Sequence, residues 1–218
     1  MMTRTKLVSL VASALVLAAC SSEPQKKSAE AEKQTAPAEM QKPAEPKDTA
    51  ANTYTVKMVT SKGPITITVH RDWAPLGAQR FYDLVKAGYY DGARFFRVVP
   101  NFVVQFGLAA NPAVTKKWDK NIKDDAVTHT NKRGSLCFAT MGPETRTTQV
   151  FINLKSNQSL DSQGFAPFAE VTDGMDVVDK LYSGYGEAPD QEAITKRGNA
   201  YLQGKFPKLD YIQKATIL

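Results

Sequence analysis

The chain has 218 residues, of which 42% are hydrophobic, 23% charged and 9% aromatic, with a net charge of +6. That describes one globular domain, or one domain with a tail, and excludes a disulfide scaffold or a wholly disordered chain. No apolar run reaches the roughly 20 residues of a spanning helix, and the histidines and cysteines stand too far apart for a zinc finger.

The first predicted element is an address. Arg4 and Lys6 precede an apolar run from Leu7 to Leu17, and small residues lead to Cys20, the layout of a secretory signal over residues 1–19. The tetrapeptide Leu17-Ala18-Ala19-Cys20 resembles the lipobox of bacterial lipoproteins. That resemblance implies a diacylglyceryl group on Cys20, which becomes the new N-terminus. Each buried methylene contributes about 0.8 kcal/mol, so two or three acyl chains hold a protein on a membrane essentially permanently. Ser21 rather than Asp follows the cysteine. By the same resemblance this implies a cell-envelope protein, on the periplasmic face of the outer membrane where the cell has one. With Cys20 acylated, Cys137 is the remaining thiol, and no intrachain disulfide is expected.

Residues 20–52 read as the lipidated cysteine and a tether. The segment is almost wholly Ala, Pro, Glu, Lys, Gln and Ser, with Met40 its one large apolar residue, so it cannot bury enough surface to offset its ordering entropy. The expected folded domain is 53–218. Its basic excess is modest and scattered, densest at KKWDKNIK (116–123), which reads as solvated surface and not as a nucleic-acid site.

Within the domain, YTVKMVT (54–60) and ITITVH (65–70) alternate with period two around Ser61-Lys62-Gly63-Pro64, a hairpin signal. The segment 74–88 predicts a helix, with Pro75 at its start, Phe81, Leu84 and Val85 on one face, and Gly88 as the stop. Short β-rich runs follow at 94–99, 102–107, 135–140, 149–154 and 168–171. A second helix is predicted over 174–182, a third over 190–206 capped by Asp190, and a closing strand over 210–218. Many strands with few helices predict a mainly β fold, a closed antiparallel barrel with helical plugs.

Familiar catalytic motifs are missing from the sequence. Gly184-Tyr185-Gly186 follows a helix and lacks the third glycine of a dinucleotide loop, and neither a Gly-x-Ser-x-Gly elbow nor a His-Glu-x-x-His helix occurs. His70 and His129 read as surface residues, and Cys137 as a buried inert thiol. What stands out is RFFRVVPNFVVQFG, where alternation sets Phe95, Arg97 and Val99 on one face. The bland explanation is an arginine whose head reaches water; the functional one is a fixed guanidinium beside an apolar pocket.

FFRVVPNFVVQFG (95–107), FATMGPETRTTQVFINL (138–154) and LDSQGFAPFAEVTDGMDVVDKL (160–181) resemble the cyclophilin-type peptidyl-prolyl cis-trans isomerases. The likeness runs in the family's order and spacing from about Tyr54 to Leu218. It implies an eight-stranded antiparallel barrel closed by two helices, with 183–208 as an added helical excursion. It places Arg97 at the catalytic arginine, and Phe102, Val103, Phe151 and Leu160 at the walls of the proline pocket. Gln105 is implied as the polar contact to the substrate backbone, Ala139 and Thr140 as the peptide clasp, and Gln149 as floor near the arginine. Phe165 stands where the vertebrate type has His, Val103 where Met is commoner, Thr140 where Asn is usual, and Ser159 where many members have Trp. Tight cyclosporin binding is therefore not expected. Thr145, Arg146 and Thr147 border the neighbouring side pocket, and Met141 is expected to narrow it.

The expected function is isomerisation of X–Pro bonds in proline-containing segments of exported proteins, by a monomer needing no cofactor or metal. The alternatives are a non-catalytic chaperone or scaffold that holds proline segments on the same fold, and a lipoprotein that captures a small ligand for a transporter. The latter would want two domains and a cleft.

Overall fold

The computed structural model describes residues 52–218; the signal segment, Cys20 and all but the last residue of the tether lie outside the described residues. Eight strands are present there: β1 Thr53–Thr60, β2 Gly63–His70, β3 Arg97–Val99, β4 Val103–Phe106, β5 Ser135–Phe138, β6 Val150–Asn153, β7 Pro167–Asp173 and β8 Ile212–Ile217. They form one sheet in the order β3-β4-β6-β5-β7-β2-β1-β8, with every recorded strand pair antiparallel. The helices are α1 Pro75–Lys86, α2 Pro112–Trp118, α3 Met175–Asp179, α4 Gln191–Arg197 and α5 Asn199–Lys205.

The hairpin expected around residues 61–64 forms, and period two puts Val56, Met58, Ile65, Ile67 and Val69 in the core. Phe81 on α1 packs at a tilt against Phe168 of β7, and Phe168 against Phe138 of β5, with centroids 5.2 and 5.1 Å apart. Helix α1 packs on β2, β7 and β8, and α3 on β2. Gly88 is left-handed just past the end of α1, as its stop position predicts. The start of α1 has no cap of its own, since Ala74 precedes Pro75. Instead the Asp125 carboxylate accepts from the amides of Leu76 (3.0 Å) and Gly77 (2.8 Å) and pairs with Arg146 Nη1 at 3.0 Å. A distant loop thus serves as the cap that the local sequence lacks.

The sheet curls into a barrel whose last seam is thin. The ends of the strand order, β3 and β8, meet only beside them, through one antiparallel bridge between Arg94 and Tyr211. Amides of Phe95 and Ile212 donate there to the carbonyls of Asp210 (3.0 Å) and Ala93 (2.9 Å). The closure is a single bridge and not the full ladder that a closed barrel implies.

Three other expectations need correction. Phe95 does not share a face with Arg97: β3 begins only at Arg97, the chain leaves the ladder between the bridge and the strand, and Phe95 turns into the main core. The predicted helix 174–182 ends at Asp179, and beyond it the amide of Tyr182 goes to Asp210 Oδ2 at 2.7 Å. The predicted helix 190–206 is two helices broken at Gly198, where an added Cβ would lie 2.3 Å from the carbonyl oxygen of Ala110. There φ is +55°, so only glycine passes the loop comfortably. Helix α2 was not anticipated; Asn111 caps it and Pro112 opens it, a signal legible in retrospect.

Asp125 and Arg146 are both nearly inaccessible to water. Asp125→Ala would leave that guanidinium short of a buried partner and α1 uncapped, so it is expected to cost about 3–5 kcal/mol. Urea unfolding of the variant beside the wild type measures it.

Candidate active site

Antiparallel register lays the site out. Arg97 pairs with Gln105, Gln105 with Phe151, and Phe151 with Cys137, one row of cross-strand neighbours over β3, β4, β6 and β5. The next row, Val98, Val104, Ile152 and Leu136, belongs to the main core. Alternation therefore faces the first row away from that core. There Val103, Cys137, Phe151 and Leu160 form a separate apolar cluster with Phe102, Ala139 and Phe165 packed on it. Phe151 and Phe165 meet edge to face at 5.5 Å.

The polar end of the row is tightly specified. Arg97 Nη1 donates to Gln105 Oε1 (3.2 Å), and Gln105 Nε2 donates to Gln149 Oε1 (2.8 Å). Because a guanidinium only donates, the Gln105 amide must present its oxygen to Arg97 and its nitrogen to Gln149. The Arg97 guanidinium carbon lies 5.6 Å from the centroid of the Phe102 ring, beside the apolar cluster. Its Nε donates to Glu187 Oε1 at 2.6 Å, and Nη2 lies 2.5 Å from the same oxygen. A groove of about 860 Å³ runs over these residues, lined by Arg97, Gln105, Phe102, Val103, Phe151, Leu160 and Phe165 among others. All the expected site residues in the folded domain line this one groove; Cys20 lies outside the described residues.

The clasp and rim have their own order. The Ala139 amide is bound to the Gln149 carbonyl at 2.9 Å, but among the described residues no group bonds the Thr140 amide or carbonyl, so both are free for an extended peptide. The Thr140 hydroxyl is engaged with Gly142 and with Thr145 Oγ1 (2.8 Å), which shapes the turn. Met141 lines the groove but is 94% exposed, standing on the rim where it was expected to narrow the side pocket.

Two walls sit on loops, and a buried amide network fixes them. Asn131 Nδ2 donates to Asp161 Oδ1 (2.7 Å) and to the Phe165 carbonyl (2.9 Å), while its Oδ1 accepts from Asn153 Nδ2 and Cys137 Sγ, each at 3.0 Å. Asn157 Nδ2 donates to the Phe102 carbonyl (3.0 Å) and to Asn153 Oδ1 (2.8 Å). The walls Phe102 and Phe165 are thus tied to the sheet through satisfied polar groups. Local sequence does not signal this network, because loop asparagines such as Asn131 and Asn157 look like turn residues.

Burial pushes the Cys137 thiol well above its usual range, leaving it protonated behind the apolar wall. His70 and His129 lie outside the groove and stack on Trp73 with ring centroids at 3.8 and 4.1 Å; His129 is exposed and His70 half-buried. Also unforeseen were the groove residues Thr115, Asp119 and Asn121, and Glu187, Gln191, Glu192 and Thr195 from the excursion.

Residues 55–198 match the family model described as cyclophilin type peptidyl-prolyl cis-trans isomerase. The peptidyl-prolyl cis-trans isomerase of Acinetobacter baylyi is 39% identical over 137 residues, covering 60% of this chain and 72% of that protein. Isomerase B of Escherichia coli is 39% identical over 132 residues, covering 56% of this chain and 80% of its own. The crystal structure of a cyclophilin type isomerase from Cryptosporidium parvum superposes with a TM-score of 0.58 at 20% identity. It covers 76% of this chain and 98% of that one, a likeness of fold.

Asp161 supplies a pH test of the network. Burial raises its pKa, but bonds from the Thr130 hydroxyl and from the Asn131 side chain and backbone outweigh that and hold the carboxyl below its ordinary 3.8. A group depressed in the folded state stabilises above its unfolded pKa, and that contribution fades as pH falls through the folded value. Thermal midpoints should therefore separate wild type from Asp161→Asn at neutral pH, and the gap should shrink as pH drops below about 4.

Proposed function

Because the chain belongs to the cyclophilin-type peptidyl-prolyl cis-trans isomerases, we propose that Arg97 carries its catalysis, acting on proline-containing segments of exported proteins. The chain is a peptidyl-prolyl cis-trans isomerase, and its substrates are proline-containing peptides. What supports the assignment of Arg97 is its place: a guanidinium held at Gln105 and flanked by the ring of Phe102, at the edge of an apolar pocket.

The mechanism follows from amide resonance. Rotation about an X–Pro bond must break that resonance, at a barrier of about 18–20 kcal/mol. In the twisted state the proline nitrogen regains a lone pair that the planar amide lacks. With Nε, one Nη2 hydrogen and one Nη1 hydrogen occupied by Glu187 and Gln105, a second hydrogen remains on each terminal nitrogen to meet that lone pair. Such a bond exists mainly in the transition state, so it lowers the barrier and does not merely tighten binding. Phe102, Val103, Phe151, Leu160 and Phe165 hold the proline ring still in a dry pocket while the preceding residue turns. The Thr140 amide and carbonyl bind the peptide backbone, and Gln105 keeps both the arginine and the substrate carbonyl in register. No proton is transferred, so the reaction needs no general base.

The setting we propose is the cell envelope, with the domain acting as a monomer on a tether from acylated Cys20, facing the periplasm where an outer membrane exists. The support is the sequence: the signal-like residues 1–19, the lipobox-like Leu17–Cys20, and a composition over 21–52 that suits a flexible spacer.

Arg97→Ala is expected to lower kcat/KM for an Ala-Pro model peptide by about 10²–10³ while the fold persists. Isomerisation at the uncatalysed rate by the wild type would instead favour the non-catalytic holdase. For the anchor, labelled palmitate fed to expressing cells should mark the wild type, and Cys20→Ser should lose the label and leave the membrane fraction.

A further inference from the structure

The excursion 183–208 is a built part of the molecule. Ile194, Leu202 and Leu209 are buried with Phe96 and Leu108 in a second apolar cluster, joined by Tyr185, Tyr201 and Phe206. Asn199 ties it down twice, its amide to the Ala110 carbonyl and its Nδ2 to the Gly92 carbonyl, each at 3.0 Å. At its near end the Gly186 carbonyl accepts from the amide of Val98, in the strand that carries Arg97. Glu187 follows immediately. Its carboxylate therefore approaches Arg97 from a backbone already docked on β3.

We propose that Glu187 is a positioning residue for Arg97, setting the guanidinium for the reaction from the side opposite the groove's amides. The inference rests on the reading of Arg97 as catalytic. An arginine on a short edge strand has a long, flexible stem, and fixing it costs side-chain entropy. Gln105 alone offers one bond of 3.2 Å. Glu187 adds charge-assisted contacts of 2.6 and 2.5 Å on the Nε–Nη2 edge, the edge that a carboxylate fits best. Held at both edges, the guanidinium keeps its orientation and still has free hydrogens on its terminal nitrogens.

Exposure makes the role separable from folding. The Glu187 side chain is 63% exposed against 25% for Arg97, and an ion pair so open to water adds little to stability. Its removal should be felt in rate and not in the thermal midpoint. Misplacement of a catalytic group by a fraction of an ångström is enough to slow a reaction markedly.

The test is a double-mutant cycle on the full chain, with Arg97→Ala, Glu187→Ala, both together, and Glu187→Gln, assayed on an Ala-Pro peptide. Glu187→Ala should lower kcat about tenfold with KM nearly unchanged, and the midpoint should stay put. Glu187→Gln, which keeps an acceptor oxygen, should recover most of that loss. In the Arg97→Ala background the second substitution should cost nothing more. The Arg97 Nε–H resonance should exchange slowly with water in the wild type and rapidly in Glu187→Ala. An unchanged or faster Glu187→Ala, or an equal loss on top of Arg97→Ala, would overturn the proposal. Full activity in Arg97→Ala alone would remove the reading beneath it, a result told apart because that variant leaves Glu187 intact.

Discussion

The register of β3, β4, β6 and β5 is the constraint on which this molecule depends. One row of paired residues, Val98, Val104, Ile152 and Leu136, fills the core, while in the row beside it Arg97, Gln105 and Phe151 line the groove with Cys137 behind them. Because a strand's side chains alternate, a slip of one residue would turn the arginine into the core and its valine neighbour into the groove. The core and the groove therefore select the same register. The buried valines and isoleucine set it with many apolar contacts, and the guanidinium is placed as a consequence.

Strands alone give only half a site. The rest of the groove's apolar wall stands on loops, and loops are mobile unless their backbone polar groups are satisfied from elsewhere. Asn131 and Asn157 do this here, reaching the carbonyls of Phe165 and Phe102 from buried loop positions, with Asn153 of β6 linking the two. The same device recurs at α1, where Asp125 caps a helix that begins Ala-Pro. In both cases a side chain distant in sequence supplies a hydrogen bond that the local chain cannot make. The close approach of Gly107, where an added Cβ would sit 2.4 Å from the Thr148 carbonyl, permits this tight packing behind Gln149.

The electrostatics suit a reaction that moves no protons. The buried thiol of Cys137 donates to Asn131 and stays neutral, and neither histidine reaches the groove. The cation set beside the apolar pocket is the Arg97 guanidinium, held at Gln105. Its counter-charge comes from the excursion, whose aromatic cluster docks on the outside of the barrel and reaches the groove through Glu187, Gln191, Glu192 and Thr195.

Much of this was legible in the residues. Period-two runs marked the strands within a few residues of their ends, Pro75 and Gly88 bracketed α1, and three motif segments carried the family and the groove-lining residues. Those features are local, written by alternation, turn chemistry and side-chain type over a few neighbouring positions. Composition alone also sets residues 21–52, poor in large apolar side chains, apart from the stretch that follows. Only the tertiary structure decided that Phe95 turns inward, that one bridge at Arg94 closes the seam, and that Gly198 splits the last helix. It alone brought Glu187 to Arg97, 90 residues earlier, and Asn131 to the walls of the pocket. Such contacts depend on where the chain returns after a long path, and no short-range periodicity encodes that return.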